Sequence, residues 1–346
     1  MQFEELLKRA MARAASDLHI TAEAPPVVRV QGRIQALDGA VIRAPDTEAF
    51  AEALLDEQRR QKFRNTGEVS MSYSVSGLGR FRVMVFRQRG SVALSVRLVY
   101  PGIPGLADVG LPPILGDFAM RAAGLVLVTG PRGSGKTLAL AGMVDYINGH
   151  KNAHVVTLED PIEYLHKHRR SIVNQREVGV DTPSFAHGLR SATRQDPDVL
   201  AVGDVLDAET TRLCLEAACS GCLVLCATRA PGIEGALKSL YSMFGAEQRP
   251  GIAGLFADCV EGAVGLRIVQ TSRMSRPLPV CEVLVGTPAV KDILREDRLH
   301  HIGAVMKTGL KAGMKTFAMS LDELLREGQI TDDEYAGLSE PVKALE

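Results

Sequence analysis

The chain opens with MQFEELLKRAMARA, in which Phe3, Leu6, Leu7, Ala10, Met11 and Ala14 recur at helical spacing among charged residues. This predicts an amphipathic first helix with one face turned to a core. The β-branched segments DLHI and PPVVRVQGRI, the latter holding Gly32, predict two short strands and a turn. A helix is expected from Thr47 to Phe63, with Asp46 or Thr47 as its cap. Beyond it, SMSYSVSGLGRFRVMVFRQRGSVALSVRLV alternates apolar and polar positions and is broken by Gly77, Gly79 and Gly90, which predicts two or three antiparallel strands.

The segment YPGIPGLADVGLPP, with Pro101, Pro104, Pro112 and Pro113, sustains neither helix nor central strand and reads as a domain boundary. After it, apolar β-branched runs (LVLVT, AHVVTL, VLAV, LVLCAT) alternate with helical segments (LALAGMVDYI, SFAHGLRSATR, AETTRLCLEAAC). Strands that are apolar throughout and separated by helices imply a parallel sheet covered on both faces. From about Ala236 the pattern is mostly helical to the end, with caps at Thr287 and Thr331 and stops at Gly286 and Gly328. The expected class is α/β, divided into an α+β domain over 1–100, a linker over 101–113, a core over 114–270 and a helical C-terminal region over 271–346. There is no fixed-period repeat.

Composition narrows the function classes. Across 346 residues, 40 Lys and Arg face 41 Asp and Glu, a balance that argues against a protein working mainly by coating nucleic acid or anionic lipid. The longest apolar stretches, Leu125 to Val128 and Leu223 to Cys226, fall far short of the roughly 20 residues that span a bilayer. The charged N-terminal helix is unlike a signal peptide, which points to a cytosolic domain. Six cysteines in this length are too sparse for a disulfide scaffold and fit a reducing compartment.

The strongest chemical signal is Gly130-Pro131-Arg132-Gly133-Ser134-Gly135-Lys136-Thr137, a phosphate loop placed between a strand and a helix. Its glycines let successive N–H groups face phosphate oxygens, and the helix that follows adds its positive end. Lys136 is expected on the β- and γ-phosphates of ATP, and Thr137 on Mg²⁺. Two further strands deliver acids to the same rim of a parallel sheet. VVTLEDPIEYLH brings Glu159, Asp160 and Glu163, and DVLAVGD brings Asp204. A carboxylate there can hold Mg²⁺ through water or orient the attacking water. Asp207, by contrast, reads as a helix cap.

Between Arg80 and Arg97 the chain carries Arg80, Arg82, Arg87, Arg89 and Arg97 without an acid. Either this is an edge strand protected by charge, or it is a surface aimed at polyphosphate, able to serve a neighbouring subunit's nucleotide. Cys219 and Cys222 form a lone C-x-x-C near Cys214 and Cys226; without a second ligand pair they read as buried thiols and not as a zinc site.

Together, SDLHITAEAPPVVRVQGRI, GRFRVMVFRQRG, GPRGSGKT, LEDPIEYLH, LRSATRQDPDVLAVGD, AVKDILRE and GMKTFAMSLDELLREGQIT resemble the type IV pilus retraction ATPases, the PilT-like branch of the secretion ATPase superfamily. The resemblance implies a PAS-like α+β N-terminal domain, a RecA-like P-loop domain with a helical C-terminal extension, and a hexameric ring with ATP between domains. It also implies a motor acting on an inner-membrane pilus platform protein, peripheral at the cytoplasmic face, to drive retraction and twitching motility. By matching motif, Gly130, Arg132, Gly133, Ser134, Gly135, Lys136 and Thr137 hold ATP and Mg²⁺, Glu163 belongs to the acidic box, and Arg82 and Arg97 approach the nucleotide from the N-terminal domain.

Two departures stand out. Where relatives carry Glu in a G-E-M-R-D string, this chain reads Gly203-Asp204-Val205-Leu206-Asp207, and both histidines of the family's histidine box are replaced, by Cys222 and Arg229. A carboxylate shortened by one methylene moves its charge by about 1 Å, enough to cost on the order of a hundredfold in rate. Three readings follow: a motor ATPase with Glu163 and Asp204 handling water and metal; a catalytically attenuated ATP-binding paralogue in a homo- or mixed hexamer that supports an active relative; and a translocase on nucleic acid, which the charge balance disfavours.

Overall fold

The computed structural model describes residues 2–30, 33–37, 39–99, 102–274 and 278–339. Gly32 of the expected strand turn and Pro101 of the boundary segment lie outside the described residues. The chain forms two compact units, Met1–Gly102 and Ile103–Glu346.

The first unit runs α1 (Phe3–Ala12), β1 (Asp17–Ile20), β2 (Val27–Val30), β3 (Arg33–Ala36), α2 (Ala44–Leu54), α3 (Glu57–Thr66), β4 (Glu68–Val75), β5 (Gly79–Gln88) and β6 (Ser91–Val99). Its antiparallel six-stranded sheet has the order β3-β2-β1-β6-β5-β4. α1 buries Phe3, Leu6, Leu7 and Ala10, most of the face read from the sequence. The single helix expected over Thr47 to Phe63 is instead two. The backbone turns extended at Leu55 and Asp56, and the Asp56 carboxylate accepts the Arg59 N–H at 2.8 Å, a new N-cap that stops one helix and starts the next. Asp46 caps α2 from its first turn, accepting the Arg43 N–H at 2.9 Å. One sheet face carries Leu18, Val28, Phe81, Val83, Val85 and Val96 into the core. The other aligns Asp17, Arg97 and Arg82 in one row, because they are successive register partners across β1, β6 and β5.

The second unit runs α4 (Ile114–Ala119), β7 (Gly124–Thr129), α5 (Lys136–His150), β8 (His154–Glu159), β9 (Ile172–Glu177), α6 (Phe185–Ala192), β10 (Val199–Val202), α7 (Ala208–Cys219), β11 (Leu223–Thr228), α8 (Ile233–Ser242), α9 (Arg249–Cys259), β12 (Val260–Val269), β13 (Leu278–Val285), α10 (Pro288–Arg295), α11 (Ile302–Thr308), α12 (Phe317–Arg326) and α13 (Asp332–Ser339). Its seven-stranded sheet has the order β13-β12-β7-β11-β10-β8-β9. The ladders are parallel except that joining β12 and β13. β7, β10 and β11 are buried along their whole length. Alternate residues of β7 feed separate cores, Leu125 and Leu127 on one face and Val126 and Val128 on the other. That is the double coverage expected of continuous apolar strands.

One reading of this half needs correction, and one strand lies beyond what the sequence pattern announced. The stretch after Ala236 is not uniformly helical: β12 and β13 form an antiparallel pair that extends the sheet past the phosphate-loop strand, so 271–346 is not a purely helical region. β9 was not foreseen because IVNQRE is a half-polar edge strand. Thr331 caps α13 reciprocally, accepting from the Glu334 N–H at 3.2 Å while Glu334 accepts from the Thr331 N–H at 2.8 Å. Thr287 stands at the start of α10 without a side-chain capping bond.

Candidate functional site

The phosphate loop leaves β7 after Thr129, whose hydroxyl donates to the Ala230 carbonyl at 3.0 Å and ties the loop's origin to the segment after β11. A Cβ at Gly130 would lie 2.4 Å from both the Leu266 carbonyl and the Ser134 hydroxyl, so only glycine fits. Gly135 is left-handed (φ 92) where it caps α5, a position glycine takes without strain. The first N–H groups of α5 lack intrahelical partners and present the positive end of the helix to the loop. Lys136 Nζ donates to the carbonyls of Gly130 and Pro131 at 2.6 and 2.8 Å, across the mouth of the loop. Burial lowers the Lys136 pKa and the nearby Asp204 opposes that shift. Ser134 is buried, and its hydroxyl has no hydrogen-bond partner among the described residues.

The rim acids come from adjacent strands. β8 and β10 pair in parallel with Leu158 opposite Val202, so Glu159 and Gly203 leave the sheet side by side. A cleft of about 50 Å³ between α5 and the acidic segment is lined by Thr137, Thr157, Glu159, Asp160, Glu163 and Gly203. Thus Thr137 and Glu163 share one cleft, as their placement at a common rim implies.

Gln175 on β9, missed in the sequence, organises that segment. Its amide donates to Glu159 at 3.0 Å and to the Tyr164 carbonyl at 2.8 Å, and its oxygen accepts the His166 N–H at 2.9 Å. Its signal was hidden because its register partner, Thr157, lies on a strand neighbour that only the sheet order reveals. The His166 ring is nearly fully buried and 4.0 Å from Asp145. Desolvation pushes its pKa down to about 4.

Asp204 is 8% exposed. One carboxylate oxygen pairs with the Arg229 guanidinium, and the other is buried with no partner among the described residues. Burial raises the Asp204 pKa, while Arg229 and Lys136 pull it back. Asp207 caps α7, accepting the Thr210 N–H at 2.7 Å.

Behind Arg229 the chain is fastened. The Pro231 carbonyl accepts from Arg267 at 3.0 Å, and the Ile233 N–H that opens α8 donates to Glu282 at 2.5 Å. Glu282 occupies space left by Gly232 and Gly265, where a Cβ would meet its Oε1 at 2.9 and 2.6 Å. Desolvation raises its pKa to about 7, against the pull of the Ile233 N–H and Arg267. Beside the phosphate loop, Ser134, Gly135 and Leu138 also border a largely apolar cavity of about 700 Å³ with Leu278, Pro279, Val283 and Leu324, large enough for a drug-sized ligand.

Of the residues singled out in the sequence, Gly130, Arg132, Gly133, Ser134, Gly135, Lys136, Thr137, Glu163 and Asp204 fall in the second unit and Arg82 and Arg97 in the first. Arg97 pairs with Asp17 at 3.1 Å, and Arg82 donates to Ser70 at 3.4 Å. The cysteines depart from the buried reading at Cys219, which is exposed, and Cys222, which is half-buried. Among the described residues no group of three or more His, Cys, Asp or Glu is arranged to hold a metal ion.

The sequence profile of the family described as "Type II/IV secretion system protein" matches residues 112–300. The chain is 35% identical to the "Uncharacterized protein YggR" of Escherichia coli, over 95% of this chain and 100% of that protein. It is likewise 35% identical to the "Type IV pilus ATPase PilU" of Pseudomonas aeruginosa, over 96% of this chain and 87% of the relative. The crystal structure of the pilus retraction motor PilT with bound ADP superposes with a TM-score of 0.91 at 37% identity, covering 100% of this chain and 99% of the other.

Proposed function

Because the chain belongs to the family of type II/IV secretion system proteins, we propose that it is an ATPase that binds ATP with Mg²⁺ on the Gly130–Thr137 loop and powers retraction of a type IV pilus. The observation that carries this reading is the loop itself, closed at Gly130, with the Lys136 ammonium at its mouth and the unpartnered Ser134 hydroxyl buried beneath it. The polar groups fit a triphosphate and its attacking water: helix N–H groups, a lysine and the unpartnered Ser134 hydroxyl for the phosphates, and an unpartnered Asp204 oxygen able to accept from water.

In this assignment Lys136 leaves the Gly130 and Pro131 carbonyls for the β- and γ-phosphates. Thr137 and the acids of the adjoining cleft hold the cation, which when bound neutralises charge on the phosphate oxygens. Glu163 and Asp204 order the attacking water, Gln175 fixes the acidic segment that carries Glu163, and the apolar cavity beside Leu138 takes the base. The first unit is a PAS-like domain and the second a RecA-like core, working as a hexamer. Arg82 and Arg97 approach ATP from the first unit, and the ring docks on a platform protein at the cytoplasmic face of the inner membrane. ADP in the retraction motor supports the nucleotide assignment.

The test is steady-state ATPase activity of the purified protein: Mg²⁺-dependent turnover that Lys136→Ala abolishes is expected, and wild type indistinguishable from that variant would sink the proposal. The shortened acid at Asp204 and the replacement of both box histidines by Cys222 and Arg229 motivate a second reading, a slow ATP-binding paralogue that supports an active relative. Restoration of twitching by Asp204→Ala as fully as by wild type would select it.

A further inference from the structure

Arg229 is the first residue beyond β11, and Thr228 pairs in register with Thr129 of β7, so its backbone stands level with Gly130 at the start of the phosphate loop. The chain on its C-terminal side is fixed by three contacts: Ala230 to Thr129, Pro231 to Arg267 and Ile233 to Glu282. The side chain is the adjustable part, 42% exposed, and among the described residues its ion-pair partner is Asp204. That partner has one oxygen committed to Arg229 and the other buried without a partner among the described residues. The guanidinium occupies the first oxygen and its charge opposes the burial that raises the Asp204 pKa, so a proton is harder to place on Asp204 while the pair is closed than once it opens. The guanidinium is also the side chain whose planar fork matches phosphate oxygens two at a time.

We propose that Arg229 reads the γ-phosphate: when a nucleoside triphosphate occupies the loop, the guanidinium passes from Asp204 to the γ-phosphate oxygens and thereby releases Asp204 to receive a proton from the attacking water. The inference deepens the ATPase reading and rests on it. In the step it governs, the water oxygen bonds to the γ-phosphorus as its proton passes to Asp204. The bond from that phosphorus to the bridging oxygen breaks, its electron pair leaves with ADP, and the proton then moves from Asp204 to the departing phosphate. With a diphosphate there is no γ group to attract Arg229, so the ion pair stays closed and the base stays masked.

The test is calorimetric titration of full-length protein, in Mg²⁺ buffer, with AMP-PNP and with ADP, for wild type, Arg229→Gln, Asp204→Asn and the double variant. Losing a charge-assisted contact to phosphate is expected to weaken AMP-PNP binding about tenfold or more in Arg229→Gln, with ADP affinity within about twofold of wild type. Asp204→Asn, which removes the charge that holds the guanidinium, is expected to tighten AMP-PNP several-fold, and to do so only while Arg229 is present. ADP binding by each variant doubles as the check on folding. An unchanged ratio of AMP-PNP to ADP affinity in Arg229→Gln would overturn the inference, as would an Asp204→Asn effect of equal size with and without Arg229. Binding of neither nucleotide by wild type would instead overturn the ATPase reading beneath it.

Discussion

Glu282 gives a stability experiment whose sign and size follow from its surroundings. Its carboxyl lies against the first turn of α8, bonded to the Ile233 N–H and enclosed where Gly232 and Gly265 make room. Desolvation dominates, raising its pKa from 4.5 to about 7. The folded state therefore favours the protonated acid, and the stability this group contributes is fully present below pH 4.5 and lost as pH rises through 7. A shift of that size costs the folded protein up to about 3 kcal/mol once the group is ionised. Glu282→Gln keeps the acceptor for Ile233 and removes the charge. The variant is expected to match wild type at pH 4.5 and to exceed it at pH 8 by as much as about 3 kcal/mol, on the order of 5–10 °C in melting temperature for a unit of this size. Denaturant unfolding of both proteins across this range, followed by circular dichroism, measures the difference directly. A stability difference that does not change with pH, or a variant less stable than wild type at pH 8, would refute the reasoning.

The remaining predictions concern the loop and the acidic segment. Gly130→Ala places a methyl 2.4 Å from the Leu266 carbonyl and the Ser134 hydroxyl, so ADP affinity measured by titration is expected to fall at least about tenfold, with a lowered melting temperature. His166, whose pKa is pushed from 6.5 down to about 4 by desolvation, contributes stability that is intact above pH 6.5 and lost as pH falls through 4. Wild type should therefore lose up to about 3 kcal/mol more than His166→Leu on going from pH 7 to pH 4 in parallel unfolding curves.

What could be read from the sequence was local. The phosphate loop, the strand before it and the helix after it lie within one short segment, so composition and order sufficed. The apolar run of β7 announced a strand covered on both faces because alternate residues feed separate cores. Asp56, by contrast, divides the expected Thr47 to Phe63 helix with a capping bond three residues long, a signal present in the sequence but outweighed there by helical spacing. Hidden features depended on sheet order. β9 is polar because it is an edge, and Gln175 reaches Glu159 only because β8 and β9 are neighbours. The pairing of Asp204 with Arg229 joins the ends of β10 and β11, whose adjacency is set by the whole sheet. The burial of Glu282 likewise required the β12–β13 hairpin, where helix had been expected.

The nest around Glu282 also constrains the order in which this chain can change. A side chain at Gly232 or Gly265 collides with the carboxyl while Glu282 is in place, and a smaller residue at 282 takes that obstacle away from both. The three positions form a lock with a single sequence of opening: the acid must go first, and a lineage that fills either glycine afterwards has closed the way back.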